Sequence, residues 1–282
     1  MRRIDFSLEW SADDLILLEK NLKAENFEFF KRFCNDFVEL EKVLFGKLPS
    51  ESKIVLMKKE KTSWYLIESK FFHFSYSYFY KLRNLSNSLK FGLMQRNFVS
   101  AVCIARAMLE TTCCQLYFLE KIERQLQNLS NSEKITPDKL GRAMYKIVHE
   151  LDRSHTGSSM DWETHLAAGF KPKTMKQLHI NDPLRAVEKL SNKPINKYYS
   201  LLSEMTHPNF GSNCLVIETR GQENHDLFEM ILGDGIGSES LLWFFDNLAE
   251  TLSELMLLTT RAVDSSNVYG EYFQRLTDGD IN

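Results

Sequence analysis

The chain lacks the long apolar runs that a membrane demands. No window reaches about eighteen uninterrupted apolar residues. The two most apolar helical candidates, around Phe98 to Leu119 and Leu241 to Leu258, are each broken by charged and polar residues. Buried core helices are expected there. The opening Met1-Arg2-Arg3-Ile4-Asp5-Phe6 meets acid before any apolar stretch, so it also lacks the core of a secretory signal. A cytoplasmic protein with no membrane association is the expectation.

A dominant charge sign is missing too. Thirty-five Lys and Arg stand against 38 Asp and Glu, a net charge of −3, with both signs mixed along the chain. That excludes the overall basic footprint of a dedicated nucleic-acid-binding domain, although a local basic groove is compatible with so small a sum. Cysteine is sparse and unpatterned. Cys34, Cys103, Cys113, Cys114 and Cys214 are odd in number and form no CxxC, and the adjacent Cys113 and Cys114 are ill-placed to bridge or to share a metal. Free thiols in a reducing cytosol follow.

Cofactor signatures are absent as well. Histidines and acids gather between His149 and His179 (Glu150, Asp152, His155, Asp161, Glu163 and His165), but without H-x-x-x-H or H-E-x-x-H spacing. A solvated connecting segment accounts for them better than a metal site. Gly233, Gly235 and Gly237 precede a helix start, as phosphate loops do, yet they lack both nucleotide spacings and any lysine to reach a phosphate. No metal and no cofactor is expected.

What is present is helical periodicity. Of the 282 residues 43% are hydrophobic, enough for one large domain. We read residues 1–62 as an N-terminal helical extension and 63–263 as the core. Ser11 with Asp14 opens a short helix in the manner of a capping box. Phe27, Phe30, Phe33, Phe37, Leu40 and Leu44 step by three and four along a second helix, over about 25–45. Residues 50–70 fit either a hairpin or a helix. Phe71 to Tyr80 alternates like a strand but runs without a turn signal into leucines at helical spacing, which predicts one long helix.

Asn97 caps the strongest helix, about 98–128, and Thr136-Pro137-Asp138 starts another, to about 153. Shorter helices begin at Asp182-Pro183 and beyond Pro194, the latter ended by Pro208. Residues 214–232 then turn β-favouring around a Gly-rich turn and predict an antiparallel hairpin. Ser238 opens a last helix to about Val263, with a polar, frayed tail from Asp264. The fold class is all-α, a helical bundle with a small hairpin near the C-terminus.

Two polar ladders stand out on this apolar background. Arg106 and Glu110, four apart on the strongest helix, share one face, and charge buried there must be paired and hydrogen-bonded. Tyr199, Ser203 and His207 line one face of the helix before Pro208. Convergence of the five would offer Arg106 for an anion, His207 for proton transfer, and Tyr199 and Ser203 for positioning. The alternative is a purely structural network tying helices together.

The text Ala105-Arg106-Ala107-Met108-Leu109-Glu110, followed about ninety residues on by Tyr199-x-x-Leu202-Ser203-Glu204-x-x-His207-Pro208-Asn209, resembles a bacterial helical family of unknown function. Its members pair an R-x-x-x-E helix with a Y-x-x-L-S-x-x-x-H-P segment. More distantly, the chain is similar to the HEPN superfamily over roughly residues 65–260. That resemblance implies a metal-independent ribonuclease of a defence or toxin–antitoxin system, acting as a dimer on RNA, or else a non-catalytic partner of such a system, bound to another protein or an antitoxin. The chain departs from the HEPN motif R-x4–6-H. Ser200, Leu201, Leu202 and Ser203 precede His207 where the arginine would stand, so Arg106 would have to serve from another helix.

Overall fold

The computed structural model describes residues 8, 10–46, 64–131, 136–156, 178–207, 215–221, 228–232 and 238–278. The protein is all-helical in character. Its helices are α1 (Ala12–Asn21), α2 (Ala24–Gly46), α3 (Trp64–Met94), α4 (Phe98–Ser130), α5 (Pro137–Thr156), α6 (Asn181–Ser191), α7 (Ile195–Thr206) and α8 (Ser238–Asp278). Two five-residue strands, β1 (Ile217–Gly221) and β2 (Phe228–Leu232), pair antiparallel with Ile217 opposite Leu232 and Gly221 opposite Phe228. The Gly233 to Gly237 run and the segment 50–63 lie outside the described residues.

Local chemistry sets the helix starts. Ser11 Oγ accepts from Asp14 N–H at 3.1 Å, Asn97 Oδ1 from Ser100 N–H at 3.1 Å, and Thr136 Oγ1 from Lys139 N–H at 3.3 Å. Each satisfies one of the amides that a first helical turn leaves open. The corner between α3 and α4 is equally compact. Arg96 N–H donates to Leu93 O at 3.0 Å and Asn97 N–H to Gly92 O at 2.8 Å, a Schellman pair that requires a left-handed residue. Arg96 supplies it at φ 52°, without the glycine that such a position favours. Its guanidinium pairs with Asp14 of α1, and Gly92 lies close to Ala101, which an added Cβ would meet at 3.3 Å.

By its internal contacts the chain divides into two compact units. The first comprises Met1–Pro49, Lys81–Leu109 and Pro194–Thr260; the second comprises Ser50–Tyr80, Glu110–Lys193 and Arg261–Asn282. Three of the borders between them fall inside α3, α4 and α8. No turn or linker marks them in the sequence.

The first unit buries Phe30, Phe33, Phe37 and Leu40 of α2 beside Phe244 and Phe245 of α8. Trp10, Phe30 and Phe245 meet edge to face, with centroids 4.8–5.6 Å apart. Phe98 stacks on Phe244 at 4.7 Å. Such ring pairs add about 0.5–1.5 kcal/mol beyond area burial. Glu41 is also buried here, 3.3 Å from the Ser86 hydroxyl that donates to it and 3.5 Å from Lys90 Nζ.

The second unit is built on Ile67, Phe71, Phe74, Phe118, Leu119, Ile122, Ile147, Leu151 and Phe273. Residues 67, 71 and 74 share one helical face, which is why the alternating text from Phe71 to Tyr80 folds as helix. The polar tail expected from Asp264 is instead helix to Asp278. Its inner face carries Ser266, Gly270 and Phe273, all buried. Ser266 accepts a buried hydrogen bond from Gln115 Nε2 at 2.8 Å, and an added Cβ on Gly270 would lie 3.5 Å from the Phe72 ring. Small and polar residues on that face hid the period.

Helix α4 is long and apolar enough to cross a membrane by length and composition alone, yet 61% of its most apolar window is buried inside the protein. That is how a core helix meets the same test.

Cys34, Cys103, Cys113 and Cys114 are free thiols; Cys214 lies outside the described residues. Burial pushes the Cys34 thiol up to about 12 and raises that of buried Cys113 as well, whereas Cys103 is exposed. Because the thiolate is the nucleophile, timed alkylation of native protein should label Cys103 well ahead of Cys34 and Cys113. Peptide mass mapping checks this, and equal labelling of the three would contradict the burial described.

Candidate functional site

Helix α7 alternates two stripes. Ile195, Tyr198, Leu202 and Met205 are buried, stepping by three and four, while Tyr199, Ser203 and Thr206 sit at the half-buried margin beside them. Arg106 of α4, half-buried next to buried Ala105 and Met108, meets that margin. Its Nη2 donates to Tyr199 Oη at 2.9 Å and its Nη1 to Thr206 Oγ1 at 3.1 Å. The guanidinium carbon lies 5.0 Å from the Tyr199 ring centroid, within cation–π range. The planar fork is therefore oriented from two directions by neutral oxygens.

The chain of contacts continues. Thr206 Oγ1 donates to Ser203 O at 2.8 Å, which turns its lone pairs towards the arginine. The same carbonyl accepts His207 N–H at 3.1 Å. His207 is the C-cap of α7, extended at φ −81°, ψ 151°, the geometry that a following proline imposes. Its imidazole is exposed.

The sequence-derived residues thus divide. Arg106 and Tyr199 are brought into direct contact. Ser203 takes part through its backbone carbonyl, while its own hydroxyl is buried without a hydrogen-bond partner among the described residues. His207 joins through its amide. Glu110, one turn along α4, is half-buried and belongs to the second unit. Thr206 was not anticipated. Its signal is the step of three from Ser203, which lies on the same face as the step of four to His207.

Sequence reasoning also missed the carboxylates of α8 in the first unit, which look like mere interruptions of an apolar run. Tyr198 Oη donates to Glu250 Oε1 at 2.9 Å. Burial first, then this carboxylate, raises the tyrosine's pKa. Glu254 is buried, 3.8 Å from Arg32 Nη1. Asp36 is raised by burial, an effect opposed by Arg32.

In the second unit, the acids flagged beside His149 hold ion pairs. Glu150 faces Lys121 at 3.4 Å and Arg153 at 3.7 Å, and Asp152 pairs with Lys70. Asp161, Glu163 and His165 lie outside the described residues. Among the described residues no three His, Cys, Asp or Glu side chains gather as a metal site would need.

The Arg106–Tyr199 contact can be measured by a double-mutant cycle. A hydrogen bond to a charged group contributes about 1.5–3 kcal/mol when sheltered, and this one is half-exposed. Tyr199→Phe should cost about 1 kcal/mol by urea denaturation. The coupling to Arg106→Ala should be on the order of 1 kcal/mol. Strictly additive losses would mean that the contact contributes nothing.

Neither a protein-family model, nor a curated protein, nor a solved structure matches the chain.

Proposed function

We propose that the chain is an HEPN-like helical protein of a bacterial defence or toxin–antitoxin system, and that it cleaves RNA without a metal ion. On this reading it works in the cytoplasm as a dimer, with residues 63–263 as the HEPN-like core and the hairpin of 214–232 as its appendage. One observation carries the proposal. A guanidinium oriented by Tyr199 and Thr206 is linked, through Thr206 and the single carbonyl of Ser203, to the exposed histidine that ends the same helix. A guanidinium for the phosphate's charge and an imidazole for the 2′-hydroxyl proton are what transesterification of a phosphodiester requires.

The chemistry follows from the side chains. His207 accepts the proton of a ribose 2′-hydroxyl, whose oxygen attacks the adjacent phosphorus. Charge accumulates on the non-bridging oxygens, where Arg106 stabilises it. The bond to the 5′-oxygen breaks, that oxygen takes a proton from water, and the hydroxide left behind takes back the proton held by His207. The products are a 2′,3′-cyclic phosphate and a 5′-hydroxyl. Tyr199 acts by positioning the arginine. Glu110, one turn on, favours the cationic partner of its face.

A second reading has its own support. Arg106 already links α4 to α7, and no arginine precedes His207 at HEPN spacing. Both fit a non-catalytic interaction protein that binds another protein or an antitoxin.

The full chain, incubated with a mixed RNA pool in EDTA, should release fragments with cyclic-phosphate ends. His207→Ala should slow the release by about 10²–10⁴-fold, the usual worth of a general acid–base group. The fold should survive, because His207 caps α7 with its backbone and its side chain is exposed. No cleavage, or cleavage indifferent to His207→Ala, would leave the interaction reading in place.

A further inference from the structure

The net charge conceals a cationic groove in the second unit. The C-terminal turns of α4 and the N-terminal turns of α5 enclose about 190 Å³ of space open to solvent. Leu129 and Ala143 contribute to its lining. Three cations, Lys139, Arg142 and Lys146, stand along it on one side, and the amides of Gln125 and Asn128 on the other. Steps of three and four put the three cations on one face of α5. At 1.5 Å per residue they span about 10 Å, the reach of two or three successive phosphates of a polynucleotide.

We infer that this groove is a docking track for the phosphate backbone of single-stranded nucleic acid. Four features single out that occupant. All three cations are exposed. Among the described residues the carboxylate that meets them is Asp138, in an i,i+4 pair with Arg142 whose side chains are 74% (Arg142) and 68% (Asp138) exposed. Such exposed pairs are weak and yield to a competing anion.

The side-chain N–H groups of the amides opposite donate to phosphate or base-edge oxygens, and neither contact demands a sequence. Beside the track, Tyr145 is 65% exposed, a large aromatic facing solvent, with the His149 ring 6.4 Å away at a 32° tilt. Stacking on exposed aromatics beside a basic groove is how single strands are held without sequence preference. An anionic membrane fits less well. Polybasic lipid sites gather four to eight cations, and among the described residues this face has three, opposed by the amides of α4.

The track goes beyond the cleavage chemistry proposed above and rests on it only for the choice of ribose over deoxyribose. A deoxy probe therefore separates the two, since it has no 2′-hydroxyl to attack. Fluorescein-labelled oligothymidylate of twenty nucleotides, titrated with the full chain and read by anisotropy, should bind. With three phosphates neutralised, the affinity should fall about 20-fold between 50 and 200 mM salt.

Lys139→Ala/Arg142→Ala/Lys146→Ala should abolish most of the binding and flatten the salt dependence, while circular dichroism stays unchanged, because all three side chains are exposed. Tyr145→Ala alone should weaken binding by about fivefold or more without altering the salt slope. Asp138→Asn should tighten it by releasing Arg142. Three results would overturn the inference: no binding at 50 mM salt, binding insensitive to the triple substitution, or tighter association with phosphatidylserine vesicles than with the oligonucleotide. Loss of RNA cleavage with oligothymidylate binding intact would count against the ribonuclease reading and not against the track.

Discussion

Desolvation is the constraint on which the structure turns. A helical chain this rich in apolar faces carries polar side chains into the interior, and each needs a partner there. Glu41 finds Ser86 and Lys90, Gln115 finds Ser266, Tyr198 finds Glu250, and Arg106 finds Tyr199 and Thr206. Each of these contacts joins two different helices. Apolar packing alone would let helices slide in register; donors and acceptors at fixed heights pin the register one pair at a time. The Arg106 cluster belongs to this set and differs in one respect, that its chain of hydrogen bonds ends at the backbone amide of a histidine whose side chain is exposed.

How much of this was legible in the sequence depended on the range of the interaction. The caps at Ser11, Asn97 and Thr136 could be read because a side chain three residues away completes them. The long helix through Phe71 to Tyr80 was legible despite its alternating text, since Ile67, Phe71 and Phe74 already hold the helical step. The final turns of α8 were not. Their buried face is written in Ser266 and Gly270, whose burial depends on Gln115 and Phe72, more than a hundred residues away in the chain. The division into two units was equally hidden, because it cuts through helices that show no local break.

The candidate site shows the same gradient. That Arg106 required polar partners followed from its apolar surroundings, and a polar ladder with Tyr199 could be seen. That Thr206 would be the second acceptor, and that Ser203 would contribute a carbonyl while burying its hydroxyl, could not. A ladder defined by steps of four passes over the residue at a step of three, and only the position of the opposing guanidinium chooses between them. The cationic groove was invisible for another reason. Whole-chain charge is a sum, and three lysines and arginines on one face of α5 vanish among 35.

The corner between α3 and α4 bears on the order in which the chain folds. Two of its longest helices are joined there by only Gln95, Arg96 and Asn97, so bringing their ends together has a small loop-closure entropy. Asn97 serves both sides at once, closing α3 through its amide and opening α4 through its side chain. Gly92 meanwhile lets the last turn of α3 approach the first turn of α4 closely. A nucleus with such low contact order forms early. The left-handed Arg96 would then be set in the transition state, before α1 arrives to supply Asp14. Substitutions at this corner would slow refolding more than they speed unfolding, whereas removing Asp14 would do the reverse.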